Sequence, residues 1–214
     1  MEYYERLTPA QFGAIEAISM DMWEPFYLAT VETVPLAKDK IVFDRFHIAQ
    51  PVNKAVDKVR REENRTLKAE GIALLKGTKY LWLYSEKNLP EKRKESFESL
   101  KAVNLKTGRA WSIKEMLGEL WEAPSVEAGR EFFQRWFGGA RRSQLEPIKT
   151  VALTVKNHLE GILNYLRHRV TNGVAEGMNS KIQTVRRNAR GHRNTENLKT
   201  AIMFFCGRLE LHPH

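Results

Sequence analysis

Residues 17–44 read AISMDMWEPFYLATVETVPLAKDKIVFD, and this stretch decides the fold class of the 214-residue chain. It contains two short apolar runs, each of which ends in an acid, Asp21 and Asp44. Between them Pro25 begins a helical pattern, and Pro35 ends it. Strand, helix and strand in this order are typical of a crossover between two parallel strands. We therefore predict an α/β fold in which both acids lie at the edge of the sheet where ligands bind.

The rest of the chain has mainly helical periodicity, so the predicted α/β fold is helix-dominated. Thr8 and Pro9 begin a helix before the first strand, and another begins at about His47 after the second strand. Gly138-Gly139 is predicted to break the pattern before one long amphipathic helix over residues 148–166. Two further helices are predicted, from Asn172 to Gly191 and from Thr195 to Cys206.

Four of the five tryptophans lie in the middle of the chain, between residues 64 and 145. We interpret this region as a helical insertion whose aromatic side chains pack in a core, because core packing is a more common use of such residues than base stacking.

The formal charge of +9 favours a polyanionic partner, either nucleic acid or an acidic membrane surface. Cys206 is the only cysteine, so the sequence has no disulfide framework and no thiolate zinc site. It also has no apolar run that could span a membrane and no secretory signal. These features predict a cytoplasmic protein that does not insert into a membrane.

Residues 171–191 combine one acid with a strongly basic helix. Glu176 lies near the start of this helix, and no other acid follows until Glu196. A metal-binding carboxylate beside a phosphate-binding surface would account for the pattern. The alternative is ordinary, because an acid in a first turn complements the helix dipole and a charge run is usually a solvated face.

Three features of the sequence carry a resemblance to a known family. They are Asp21 after a short strand, Asp44-Arg45-Phe46-His47 after the next strand, and Asn172-Gly173-Val174-Ala175-Glu176-Gly177-Met178-Asn179 downstream. Together they resemble the DDE transposases of bacterial insertion sequences, and the ISL-three family is the most similar group.

The resemblance implies an incomplete ribonuclease-H-like fold, with a short parallel strand pair and a large helical insertion. Residues 1–63 would be a remnant of the core, residues 64–145 the insertion, and residues 146–214 the C-terminal helices that carry the third acid.

The resemblance also implies a site in which carboxylates hold two Mg²⁺ ions for DNA strand cleavage and strand transfer. Asp21 and Glu176 would be the catalytic, metal-binding acids, and Asp44 and His47 would support them. Asp44 is an alternative choice for the second acid. The expected contacts to double-stranded DNA at transposon ends come from Asn179, Lys181, Arg186, Arg187 and Arg190.

One departure from the family pattern concerns the first catalytic acid. It should lie on the first strand of the sheet, and the segment from Met1 to Ala14 is too short for three strands and is predicted to be the helix that would follow them. We therefore expect a truncated transposase in which Mg²⁺ binds weakly or not at all and little cleavage remains. We also expect an exposed strand edge that favours self-association or pairing with an intact transposase.

Considered one at a time, the site residues have simpler explanations. Asp21 and Asp44 are each compatible with a strand-end or helix-capping acid, and a lone histidine such as His47 is usually packed or hydrogen-bonded. Three functional hypotheses therefore stay open at this point: a transposase, a non-catalytic DNA-binding remnant that associates with or regulates an intact transposase, and a helical scaffold with a solvated basic face.

Overall fold

Two short strands, β1 (Ile18–Met20) and β2 (Ile41–Phe43), form a sheet in the part of the chain that the structure describes. They run parallel, with Met20 opposite Phe43. The helix α3 (Glu24–Thr33) lies between them in the chain. The strand–helix–strand order and the parallel pairing predicted from the sequence are therefore confirmed.

The structure is a computed structural model that describes residues 2–189, 191 and 194–207. Helices dominate this part of the chain, as predicted. The other helices are α1 (Glu2–Glu5), α2 (Pro9–Gly13), α4 (Ala37–Lys40), α5 (Arg45–Ala69), α6 (Lys79–Leu83), α7 (Glu91–Lys101), α8 (Lys106–Gly118), α9 (Val126–Arg142), α10 (Glu146–Asn157), α11 (Leu159–His168), α12 (Gly173–Asn188) and α13 (Thr195–Cys206), with 3-10 turns at Glu86–Asn88 and Glu119–Glu122.

Local capping determines where several of these helices begin. Thr8 caps α2 through a reciprocal pair of hydrogen bonds with Gln11, as its position before a proline predicts. The Asp44 side chain caps α5 by accepting a hydrogen bond from the Phe46 N–H. As a result α5 begins at Arg45, earlier than the predicted start near His47.

Two predicted helix boundaries in the second half of the chain are wrong. α9 continues through Gly138 and Gly139, because glycine weakens a helix without removing a backbone donor. The single helix predicted over residues 148–166 is divided into α10 and α11 at His158. There the backbone leaves the helical region, and the His158 Nδ1–H donates to the Thr154 carbonyl at 2.8 Å.

Helix α11 packs against β2, and this contact positions the end of the strand. The buried Asn164 donates from Nδ2 to the carbonyls of Lys38 and Ile41, both at 2.8 Å. One turn earlier, Gly161 lies against the ring of Phe43. The helix and the strand are therefore held together by specific polar bonds as well as by apolar burial.

The tryptophans of the middle region are buried, as predicted. Trp82, Trp111, Trp121 and Trp136 belong to an apolar core that also includes side chains of α5, β2, α10 and α11. Edge-to-face contacts join the ring of Phe97 to the rings of Trp82 and Trp111, at centroid distances of 5.2 and 5.0 Å.

The contacts divide the chain into two units, Met1–Val170 and Thr171–His214. Within the second unit α12 and α13 pack against each other. The predicted boundary between residues 63 and 64 falls inside α5, and the three-part division stays a prediction.

Candidate functional site

The ends of the two strands bring the backbones of two acids side by side at the edge of the sheet. Met20 and Phe43 are partners in the register of the two strands. Asp21 directly follows Met20, and Asp44 directly follows Phe43. The Asp44 N–H donates to the Met20 carbonyl at 3.1 Å, which extends the pairing by one bond. The carboxyl ends of parallel strands are where α/β proteins bind ligands, so this edge is a plausible place for chemistry.

The two carboxylates differ in their surroundings. Asp44 is buried, with 8% of its surface exposed, and one of its oxygens accepts the 2.8 Å bond from Phe46. Asp21 is half-buried, and its Oδ1 accepts from the Trp23 N–H at 3.1 Å. These backbone bonds fix the direction of both side chains, and carboxylate oxygens are the ligands that a hard divalent cation prefers.

His47 lies in the first turn of α5, close to Asp44. A ring nitrogen of His47 and a carboxylate oxygen of Asp44 are within 4.8 Å of each other. The ring also makes an edge contact with Phe46, at a centroid distance of 5.7 Å. Asp44 and His47 therefore lie close together within the first unit, and the supporting role of both stays a prediction.

The third predicted acid lies on α12, in the second unit. Glu176 is in the first turn of this helix, and its side chain is exposed. Asn172 occupies the predicted N-cap position, but its side chain makes no capping hydrogen bond to the helix. The helix ends at Asn188, before the predicted stop at Gly191.

The predicted DNA-binding side chains on α12 are solvent-exposed where the structure describes them: Asn179, Lys181, Arg186 and Arg187. Arg190 lies outside the described residues. The predicted apolar face is weak, because Met178 is 39% exposed and Ile182 and Val185 are only half-buried. α12 thus presents a basic surface to solvent and has no buried side chain among its described residues.

A cavity of about 600 Å³ lies beside the sheet in the first unit. Met22, Tyr27, Phe43 and His158 are among the residues that line it, and none of the predicted site residues does so. The candidate site is therefore the strand edge with its acids and not this cavity.

Comparison with known proteins identifies the family to which the chain belongs. The model of the DDE transposase ISL3 (ISL-three) family, described as Transposase, matches residues 1–202. The chain belongs to this transposase family.

Two curated relatives of this transposase chain are insertion-sequence transposases. The transposase for insertion sequence element IS1001 of Bordetella parapertussis is 27% identical over 197 residues, which are 91% of this chain and 48% of that protein. The transposase for IS1557 of Mycobacterium tuberculosis (strain CDC 1551 / Oshkosh) is 27% identical over 124 residues, or 58% of this chain and 28% of that protein. The transposase chain thus spans about half the length of the first relative, and less is aligned with the second.

No solved structure matches the transposase chain. Within the part of the chain that the structure describes, no helix has both the length and the apolar character needed to cross a bilayer.

Proposed function

We propose that this chain forms part of the catalytic domain of an insertion-sequence transposase, which cleaves and joins DNA strands with divalent metal ions. In this proposal β1, α3 and β2 belong to a ribonuclease-H-like core. The observation that carries the proposal is the placement of Asp21 and Asp44 after paired residues of parallel strands, in a chain that belongs to a DDE transposase family.

The residues present fit a hard divalent cation. The donor set at the strand edge is rich in carboxylate oxygen, which Mg²⁺ prefers over sulfur and nitrogen. Asp21 and Glu176 are the proposed metal-binding acids, and Asp44 with His47 is proposed to support them. When bound, a pair of such ions would activate the attacking oxygen and stabilise the leaving oxygen at phosphorus.

Each proposed site residue has a defined role in this proposal. Asp21 presents its carboxylate from a strand end whose direction is fixed by the bond from Trp23. Asp44 caps the start of α5, and His47 lies in the first turn of that helix. Glu176 supplies a carboxylate from the first turn of α12, and the exposed cations further along α12 bind the DNA backbone.

The metal site is tested by titrating the purified chain with Mn²⁺ and following the free ion by electron paramagnetic resonance. We expect Asp21→Asn and Glu176→Gln each to weaken binding at least tenfold, since each removes a charged ligand. Asp39→Asn is the matched control, because Asp39 is exposed and is not part of the proposed site. The variant Asp21→Asn keeps a side-chain oxygen that can accept the hydrogen bond from the Trp23 N–H, so we expect it to keep the fold.

The same titration separates Asp21 from the alternative, Asp44. If Asp44→Asn abolishes Mn²⁺ binding and Asp21→Asn does not, Asp44 is the metal ligand and our assignment of Asp21 is wrong. If neither variant nor Glu176→Gln differs from the Asp39→Asn control, the proposal of a divalent-metal site in this chain fails.

DNA binding by α12 is tested by fluorescence anisotropy with a labelled duplex at increasing salt. The variant Arg186→Ala/Arg187→Ala removes two exposed cations, and Lys76→Ala/Lys92→Ala removes two exposed cations elsewhere in the first unit. Each phosphate contact contributes about 0.9 to the slope of log K against log salt, so the α12 variant should lower the slope by about 1.8. An equal slope in both variants would contradict a role of α12 in binding DNA.

A further inference from the structure

A second basic surface lies in the first unit, between α8 and α9. We call it the basic groove: an open depression of about 460 Å³ whose lining includes Asn104, Gly108, Arg109, Ser112, Gly139 and Arg142. Arg109 comes from α8 and Arg142 from the last turn of α9. None of these residues belongs to the strand edge or to α12, so the groove is separate from the proposed metal site.

The two arginines of the basic groove are not neutralised by acids. Both are exposed, and among the described residues neither makes an ion pair or a side-chain hydrogen bond. Elsewhere in the unit a comparable arginine is paired: Arg130 donates to both oxygens of Glu160, at 2.6 and 2.8 Å. A guanidinium without an acid can offer the same two parallel N–H donors to a phosphate.

Two helical glycines keep the floor of the groove clear. A Cβ at Gly108 or at Gly139 would meet no atom within 4 Å, so close packing does not explain either glycine. At Gly129 and Gly161, by contrast, a Cβ would come within 2.6 Å of Leu166 and Phe43. Glycine is less favourable than alanine in a helix, and no close contact requires a glycine at either position.

From the unpaired arginines and the unoccupied space above both glycines, we propose that the basic groove binds the phosphodiester backbone of duplex DNA. The inference rests on the proposed function, since a transposase must hold DNA. Side chains from two helices converge on an open surface, which suits a strand that passes across it. Asn104, whose side chain has no hydrogen bond among the described residues, can donate to the same backbone.

The test uses the duplex-binding assay with Arg109→Ala/Arg142→Ala and the charge-matched Lys76→Ala/Lys92→Ala control. Loss of two phosphate contacts should lower the slope of log K against log salt by about 1.8. If the variant and wild type bind equally at 1 M salt, the variant should bind about 60-fold more weakly at 0.1 M salt. The loss should be equal for unrelated duplex sequences, because phosphate contacts carry no sequence information.

A second variant, Gly108→Ala/Gly139→Ala, keeps every charge and adds two methyl groups over the groove floor. We expect its Tm to rise by about 4 °C, because alanine favours both helices, while its affinity for DNA falls. A destabilised variant could lose binding by unfolding, but a stabilised one could not.

Four outcomes distinguish the proposals. If the wild-type chain binds no duplex, DNA binding fails for both α12 and the basic groove. If the Arg186→Ala/Arg187→Ala variant weakens binding and the Arg109→Ala/Arg142→Ala variant matches its control, only the groove proposal is overturned. It is also overturned if Gly108→Ala/Gly139→Ala binds DNA as tightly as wild type, or if inorganic phosphate binds the groove and duplex DNA does not compete with it.

Discussion

Gly161→Ala is a sharp test of how α11 and β2 fit together. Gly161 lies on α11 where the helix faces the ring of Phe43, the residue just before Asp44. A Cβ at this position would lie 2.6 Å from Phe43 Cε2 and 3.2 Å from Cγ. Ordinary carbon–carbon contacts are about 3.5–4.0 Å, so the ring or the helix must move by about 1 Å.

The magnitude follows from two opposing effects. Alanine in place of glycine favours the helix by about 0.8–1.0 kcal/mol. Inserting a methyl group into a packed core costs about 1–3 kcal/mol. Phe43 is only 3% exposed, and the rings of Tyr27 and His158 lie against it at centroid distances of 6.0 and 5.2 Å, so it has little room to move.

We therefore expect Gly161→Ala to lower the free energy of unfolding by about 2 kcal/mol, near the upper end of the range, or Tm by about 4–8 °C. Urea denaturation followed by circular dichroism measures the change. Gly108→Ala is the matched control, because the methyl group there meets no atom within 4 Å and should stabilise the protein.

A rescue variant ties the effect to the proposed contact. Combining Gly161→Ala with Phe43→Leu removes the ring, so the double variant should lose less stability than the sum of the two single changes. If Gly161→Ala is as stable as wild type, or if the two changes are additive, the close contact between α11 and β2 is not what determines stability here.

Two more predictions concern polar contacts in the first unit. Glu63 accepts hydrogen bonds from the Lys106 N–H, the Thr107 N–H and the Thr107 hydroxyl at 2.6–2.8 Å, at the start of α8. Glu63→Ala should therefore lower the free energy of unfolding in urea by about 1–3 kcal/mol, and Glu63→Gln should lower it less. Equal stability of Glu63→Ala and wild type would contradict this capping role. The hydrogen bonds from Arg130 lower the pKa of Glu160 below 4.5. The pair contributes about 1 kcal/mol at most to the free energy of unfolding, because the site is exposed. This contribution is complete above pH 4.5 and is lost as the pH falls through the lowered pKa. The stability difference between wild type and Arg130→Met should therefore shrink below pH 4.5, and a difference that is constant with pH would refute the assignment.

The sequence by itself determined the elements that depend on local chemistry. Proline at the start of α2 and α3, with Thr8 as a cap, marked two helices, and two short apolar runs ending in Asp21 and Asp44 marked the strands. A short crossover leaves few ways to connect such runs, so their parallel pairing and the shared edge of the two acids could be predicted.

The tertiary structure decided what depends on neighbours distant in the chain. Glycine permits a helix as well as a break, so local preference does not indicate that α9 continues through Gly138 and Gly139. Periodicity alone did not reveal the break at His158, because the apolar spacing is the same on both sides of it.

The basic groove shows the same limit for function. Gly108, Arg109 and Arg142 all lie outside the basic segment 171–191. Only the packing of α8 against α9 brings them to one surface. Local preference fixes where a helix or strand begins, whereas the faces that meet are set by burial of apolar surface summed over the whole unit. A cluster built from two helices is therefore a property of the fold and not of either segment.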